Sequence, residues 1–209
     1  MTAPPAQHSE VAGIAHFDAL HRASRDPWGV HDRWYEQRKR QLLLAALPRE
    51  RYRLGFEPGC SVGGNSRALA ARCDVLVASD ASAAAIDRAQ AHLADLPTVR
   101  VAHWQFPQKW PESPCDLVVV AELAYYLQPE ARDRFLAEAP QHLSNDGHLL
   151  MCHWRHRIAD ASIDGDSLHA LARQRLEPTL LHVGGWCDAD MRIDVWQYGG
   201  DASVAKARA

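Results

Sequence analysis

The clearest strand pattern along the chain is Leu117-Val118-Val119-Val120, four apolar residues in a row. Such a run needs cover on both faces, which predicts an interior strand of a parallel sheet. Strand and helix periods alternate on either side of it. Arg53 to Glu57 reads as a short strand, followed by a glycine-rich turn and a helix carrying Ala68, Leu69 and Ala71. Val75 to Ala78 is a buried-type strand ending at Ser79-Asp80, and an alanine-rich helix follows with Ser82 placed as its cap. Val99 to Val101 begins a third strand. A helix over Pro129 to His142 leads through Asn145-Asp146-Gly147 into a strand from His148 to Cys152.

Asp164-Gly165-Asp166 opens another helix, in which Asp166 is as good a cap as a substrate ligand. Leu180 to Val183 and Met191 to Trp196 have no helical pattern between them, so they predict a hairpin adding an antiparallel edge. Upstream, Trp34, Tyr35, Leu42, Leu43, Ala46 and Leu47 recur at helical spacing after a turn at Asp26-Pro27, and Pro48 ends that helix. The alternation predicts a doubly wound, mostly parallel α/β sheet with helices on both faces. One domain is expected over 16–198, with 16–50 as a helical cap region and with 1–15 and 199–209 as flexible ends.

Composition narrows the function. A chain of 209 residues suits one such domain, and 47% apolar residues are enough to fill it. Net charge is −3 without a basic stripe, so no nucleic acid or anionic membrane is expected as partner. The five cysteines are widely spaced and never form a C-x-x-C pair, which suggests neither a disulfide framework nor a cysteine zinc site. The opening MTAPPAQHSE lacks the basic and apolar regions of a secretory leader, and no apolar run has membrane-spanning length. A cytoplasmic protein is the expectation. Nothing in the pattern specifies an oligomeric state.

The turn Glu57-Pro58-Gly59-Cys60-Ser61-Val62-Gly63-Gly64 falls between the first strand and its helix, at the sheet edge where open α/β folds bind ligands. Asp80 ends the second strand, where a carboxylate accepts hydrogen bonds from both hydroxyls of a ribose. Its competing role is to cap the next helix. Glu57 discriminates between nucleoside ligands. A carboxylate beside a pyrophosphate is repelled, whereas beside the ammonium of a methionine tail it is favourable. S-adenosylmethionine is therefore preferred to a nicotinamide dinucleotide.

The series FEPGCSVGG, LVASD, FPQKWP, CDLVVVAELAYYL, NDGHLLMCHWRH and DGDSLH, with DPW…WYEQRKRQLLLAALPRERY upstream, resembles the NodS-like family of class I S-adenosylmethionine-dependent methyltransferases. The match runs from about Phe17 to Trp196. It implies a Rossmann-like class I sheet of seven strands, a helical N-terminal cap and methyl transfer from S-adenosylmethionine. In the family's name-giving members the acceptor is the deacetylated amino group of a chitooligosaccharide. Carried across, the resemblance puts Glu57, Gly59 and Ser61 at the methionine end and Asp80 on the ribose. It puts Gln105 and Phe106 beside the adenine and Glu122 toward the sulfonium and acceptor. Trp34, Tyr35 and Arg38 become part of a lid. The chain departs from the family pattern at Arg157 and in the loop Ile158 to Ile163, both on the acceptor side.

Methyl transfer needs donor and acceptor held in line, and an amine acceptor must be unprotonated. Glu122, Tyr125 and Tyr126 follow the fourth strand and offer an acid with aromatic walls for a cation. They serve equally as a turn cap and packing residues. His153 follows the fifth strand, as a base or as a structural hydrogen-bonding group; with His156 alone it makes no metal site. Catalytic roles are thus expected for Glu122, His153 and Tyr125. Arg38-Lys39-Arg40 reads as a solvated face, and Cys60 has no base paired with it. The expectation is N-methylation of a small amine-bearing acceptor, amino sugars included. Its alternatives are a non-catalytic S-adenosylmethionine-binding regulator and an NAD-dependent sugar-modifying enzyme.

Overall fold

The computed structural model describes residues 13–200. The expected flexible ends lie mostly outside that span, although Ile14 and Ala15 already belong to a helix. Among the described residues, strands β1 (Tyr52–Pro58), β2 (Cys73–Asp80), β3 (Val99–His103), β4 (Cys115–Ala121), β5 (Leu143–Trp154), β6 (Leu181–Cys187) and β7 (Met191–Gln197) form one sheet. Their order is β3-β2-β1-β4-β5-β7-β6. The first five pair in parallel, and β7 runs antiparallel to both β5 and β6. The C-terminal hairpin expected from the sequence is present, with its second strand inserted next to β5.

The alternation of β4 divides the core. Val118 and Val120 pack with Phe56, Met151 and Trp196 beneath α5 (Pro129–Glu138) and α6 (Gly165–Leu176). Leu117 and Val119 point the other way, to Leu69 of α3 (Gly64–Ala70) and Leu43 of α2 (Trp34–Ala46). Each fully buried aliphatic or aromatic side chain here contributes about 1.5–3 kcal/mol. Because both faces are filled, β4 is a central strand.

Some local expectations need correction. Helix α1 (Ile14–Ala23) falls largely within the expected helical cap region, although no individual helix was marked there, because its apolar residues are interleaved with histidines and charges. It packs on α4 (Ala83–His92), and Asp18 accepts a hydrogen bond from Ser82 Oγ at 2.8 Å. Ser82 in turn caps α4, its Oγ accepting from the Ala85 N–H. The helix expected over Pro129 to His142 tightens into a 3-10 turn at Ala139–His142, because Pro140 cannot supply an interior N–H. The cap of α6 is Asp164, whose Oδ1 accepts the Ser167 N–H at 2.8 Å, whereas Asp166 pairs with Arg155.

Candidate active site

The chain leaves β1 through a turn that few side chains tolerate. Gly59 and Gly63 take φ of 70° and 85°, with Ser61 between them at 51°. A Cβ on Gly63 would lie 2.9 Å from Leu93, so backbone freedom and close packing both require glycine there. Asp80 holds the turn from the end of β2. Its Oδ2 accepts the Ser61 N–H at 2.9 Å and its Oδ1 the Ser82 N–H at 2.8 Å. Burial raises the Asp80 carboxyl pKa, against the lowering effect of those two amides and of nearby His21. With one N–H on each oxygen, the carboxylate keeps lone pairs for further donors.

Above this edge lies a cavity of about 1100 Å³ whose wall includes Gly59, Ser61, Asp80, Gln105, Phe106 and Glu122. Glu57 is not on that wall. It is 2% exposed and turned against α3, where Ser66 Oγ donates to it. Burial lifts its pKa to about 7 despite the bonds from Ser66 and Asn65. The carboxylate expected beside a methionine ammonium thus lies behind the wall, bonded to the helix.

The opposite half of the cavity is organised around Glu122, which follows β4 with φ 52°. Its Oε1 accepts Tyr35 OH at 2.9 Å and Lys39 Nζ at 3.2 Å, and its Oε2 accepts the Trp154 N–H at 3.0 Å and Tyr125 OH. Burial pushes the carboxyl pKa up, but Lys39, Tyr125, Trp154 and Tyr35 outweigh it and the net shift is downward. Glu122 is thus an ionised anchor with its lone pairs engaged. Lys39 also bonds Glu36 Oε2 at 2.7 Å, and against burial the carboxylates of Glu122 and Glu36 together keep its ammonium protonated.

Aromatic rings close the chamber. Tyr35 meets Trp154 edge-on at 4.5 Å, and Phe17 of α1 meets Tyr126 at 4.8 Å. His16 and Asp160 pair across the rim at 3.1 Å.

Two lid residues named from the sequence lie outside. Trp34 is 68% exposed, and Arg38 turns to Asp188 at 2.5 Å. Of the three expected lid residues Tyr35 does face the cavity, and Glu36 and Lys39 share that face of α2. Trp34 and Arg38, four apart, lie together on the other face. His153 is off the wall as well: it is fully buried, and its Nε2 accepts the Ala124 N–H at 3.2 Å. A base must reach the acceptor, and His153 does not. Tyr125 does reach the wall. Lys39, expected with Arg38 and Arg40 on a solvated face, is instead 2% exposed on the wall. His21 and Phe17 carry no local motif; the three converge only when the cap folds over the sheet. Among the described residues, no group of three or more His, Cys, Asp or Glu is arranged to hold a metal ion, and no helix is long and apolar enough to cross a membrane.

Comparison with known proteins agrees with this geometry. A family model described as a methyltransferase domain matches residues 56–147. A crystal structure from Pseudomonas syringae, assigned as a methyltransferase, is 43% identical; it aligns over 79% of this chain and 99% of its own with a TM-score of 0.68. Nodulation protein S of Rhizobium tropici is 30% identical over 130 residues, 61% of this chain and 55% of that protein, so the match spans little more than half its length. The N-methyltransferase NodS of Bradyrhizobium japonicum WM9, in complex with S-adenosyl-l-homocysteine, shares the fold at 21% identity with a TM-score of 0.77, over 90% of this chain and 100% of its own. The cavity at the sheet's edge, the glycine turn held by Asp80 and these matches together place the chain among the class I S-adenosylmethionine-dependent methyltransferases, with a likeness to nodulation protein S.

Proposed function

We propose that the protein transfers a methyl group from S-adenosylmethionine to the nitrogen of a small amine-bearing acceptor. The observation that carries this reading is the chamber around Glu122. The wall of the whole cavity sets Glu36, Asp80, Glu122, Glu130 and Asp160 against Lys39, Arg33 and Arg134, between tyrosine and tryptophan rings. An excess of carboxylates with aromatic faces suits cationic ligands.

The donor fits the residues present. Asp80 takes the ribose hydroxyls, Gln105 and Phe106 flank the adenine, and Gly59 and Ser61 border the methionine. Lys39 has one N–H beyond its two carboxylate partners, available to the methionine carboxylate. The cofactor supplies an electrophilic methyl on a sulfonium, displaced in line. In that displacement the acceptor nitrogen forms the new N–C bond, the S–C bond breaks, and the sulfur leaves as a neutral thioether. The protein's share is to hold the two in line, an effect on the order of 7–11 kcal/mol in well-oriented systems. The acceptor's proton leaves to water, because Glu122 already accepts four hydrogen bonds and its pKa is lowered. We place the protein in the cytoplasm, in keeping with five unpaired cysteines.

Incubation with S-adenosylmethionine and a panel of amines, deacetylated amino-sugar oligomers among them, is expected to release S-adenosylhomocysteine. An absence of turnover across amines and hydroxyls removes the acceptor assignment. Calorimetric binding of NAD without S-adenosylhomocysteine would reverse the donor assignment.

A further inference from the structure

Behind the acceptor chamber runs a buried chain of polar groups that the proposed transfer does not use. Ala124 opens the 3-10 turn (Ala124–Tyr126) that follows Glu122. Its N–H donates to His153 Nε2 at 3.2 Å; His153 Nδ1 lies 3.0 Å from His169 Nε2, and His169 Nδ1 lies 2.7 Å from Asp194 Oδ2. Both histidines are fully buried, and Asp194 is 2% exposed.

The chemistry of the first link sets all the others. A backbone N–H only donates, so His153 Nε2 carries a lone pair. A neutral imidazole has one N–H, so the proton is on Nδ1 and donates to His169 Nε2. His169 therefore carries its own proton on Nδ1 and gives it to the Asp194 carboxylate. Burial pulls the His153 pKa well below its ordinary value, with His169 and Lys39 acting in the same direction. Burial also lowers that of His169, opposed by Asp194. The groups facing the pair are Tyr125, whose ring meets His153 edge-on at 5.0 Å, Lys39, and Asp166, Arg192 and Asp194 around His169. Asp194 is further held by Arg173 at 2.6 Å, His182 at 2.7 Å and Arg192 at 2.9 Å.

This chain has something to hold. Glu122 takes a left-handed conformation, a strained one for a residue with a side chain, which persists only where the surrounding structure holds it. The Ala124 amide is two residues away, and Trp154, next to His153, donates directly to Glu122.

We propose that His153, His169 and Asp194 form a positioning relay, a hydrogen-bond chain of fixed polarity that locks the turn from Glu122 to Tyr126 and so aligns the acceptor with the donor. The inference rests on the methyltransferase reading of that turn. None of the three touches the cavity; they act through Ala124, Tyr125 and Trp154. Both rings must stay neutral, since a proton on His153 Nε2 would face the Ala124 N–H.

Spectra of the wild-type chain labelled with 15N-histidine test the polarity without any substitution. Between about pH 8 and about pH 5.5, the range in which free histidine titrates, both rings are expected to stay neutral with slowly exchanging Nδ1 protons. A proton on His153 Nε2, or a charged ring in that range, overturns the relay. Function is tested with His153→Gln, which keeps an acceptor near the place of Nε2, and His153→Phe, which removes it. With an amine that the wild type methylates, His153→Phe is expected to lower kcat roughly tenfold or more while leaving S-adenosylhomocysteine affinity within about threefold, and His153→Gln to recover a large part of the rate. Equal rates for the two variants, or a loss confined to cofactor affinity, overturns the positioning role. If the wild type binds no S-adenosylhomocysteine, the methyltransferase reading fails instead, and the spectra still decide the relay.

Discussion

Lys39 of α2 and Glu122 at the end of β4 meet at 3.2 Å, an ion pair across the seam between the N-terminal cap and the sheet. Glu36 completes a carboxylate–ammonium–carboxylate series that buries one cation between two anions. The pair makes the cavity wall continuous from cap to sheet.

Lys39→Met is expected to destabilise the protein by about 3 kcal/mol, the low end for removing one partner of a buried pair, because Glu122 retains some exposure. Urea unfolding reads the change. A loss below about 1 kcal/mol would show that solvent already screens the pair.

Asp80→Ala is expected to weaken S-adenosylhomocysteine binding roughly 10- to 100-fold, the equivalent of losing charged hydrogen bonds worth about 1.5–3 kcal/mol. Calorimetry on both forms measures it. Equal affinities would mean that Asp80 serves the turn alone, through its bonds to Ser61 and Ser82.

Glu57 makes stability depend on pH in a direction opposite to most carboxylates. Its pKa rises on folding from 4.5 to about 7, so the folded state holds the proton more tightly. That advantage is complete below 4.5 and is lost as the pH climbs through about 7. Glu57→Gln, which cannot ionise, is expected to exceed the wild type in stability near pH 8 and to equal it near pH 4. Denaturant midpoints at the two pH values check this, and a variant weaker than the wild type at pH 8 yet equal to it at pH 4 assigns Glu57 a stabilising negative charge.

Tyr126→Ala tests the division of the cavity. The ring lies on the chamber wall against Phe17, beside the 3-10 turn that follows Glu122. The acceptor KM is expected to rise several-fold while S-adenosylhomocysteine affinity is unchanged. A parallel loss of both would show that the two halves are not separate.

Much of this architecture was legible in the chain, and the reasons for the remainder are physical. Leu117 to Val120 pointed to a strand covered on both sides because a short run of β-branched and other apolar residues suits a pleated surface buried on both faces. The turn at Gly59 and the carboxylate at Asp80 could be paired because sheet topology brings consecutive strand ends together. The phase of α2 was another matter. Trp34 with Arg38 and Tyr35 with Lys39 obey the same spacing, and an aromatic residue is at home in either environment. What decides between them is the carboxylate of Glu122, far away in sequence. The two readings of His153 could not be separated for a similar reason: its partners His169 and Asp194, which give it a structural role, come from α6 and β7.

The insertion of β7 between β5 and β6 also has a bearing on how the molecule is built. While the chain is being synthesised, β5 emerges with one edge unpaired and keeps it so until α6 and β6 have both been made. A nascent molecule therefore carries a long, sticky strand margin, buffered only by whatever shelters it on the ribosome. Asp194 arrives with the strand that seals this margin, so the site gains its last support in the same step that removes the aggregation hazard.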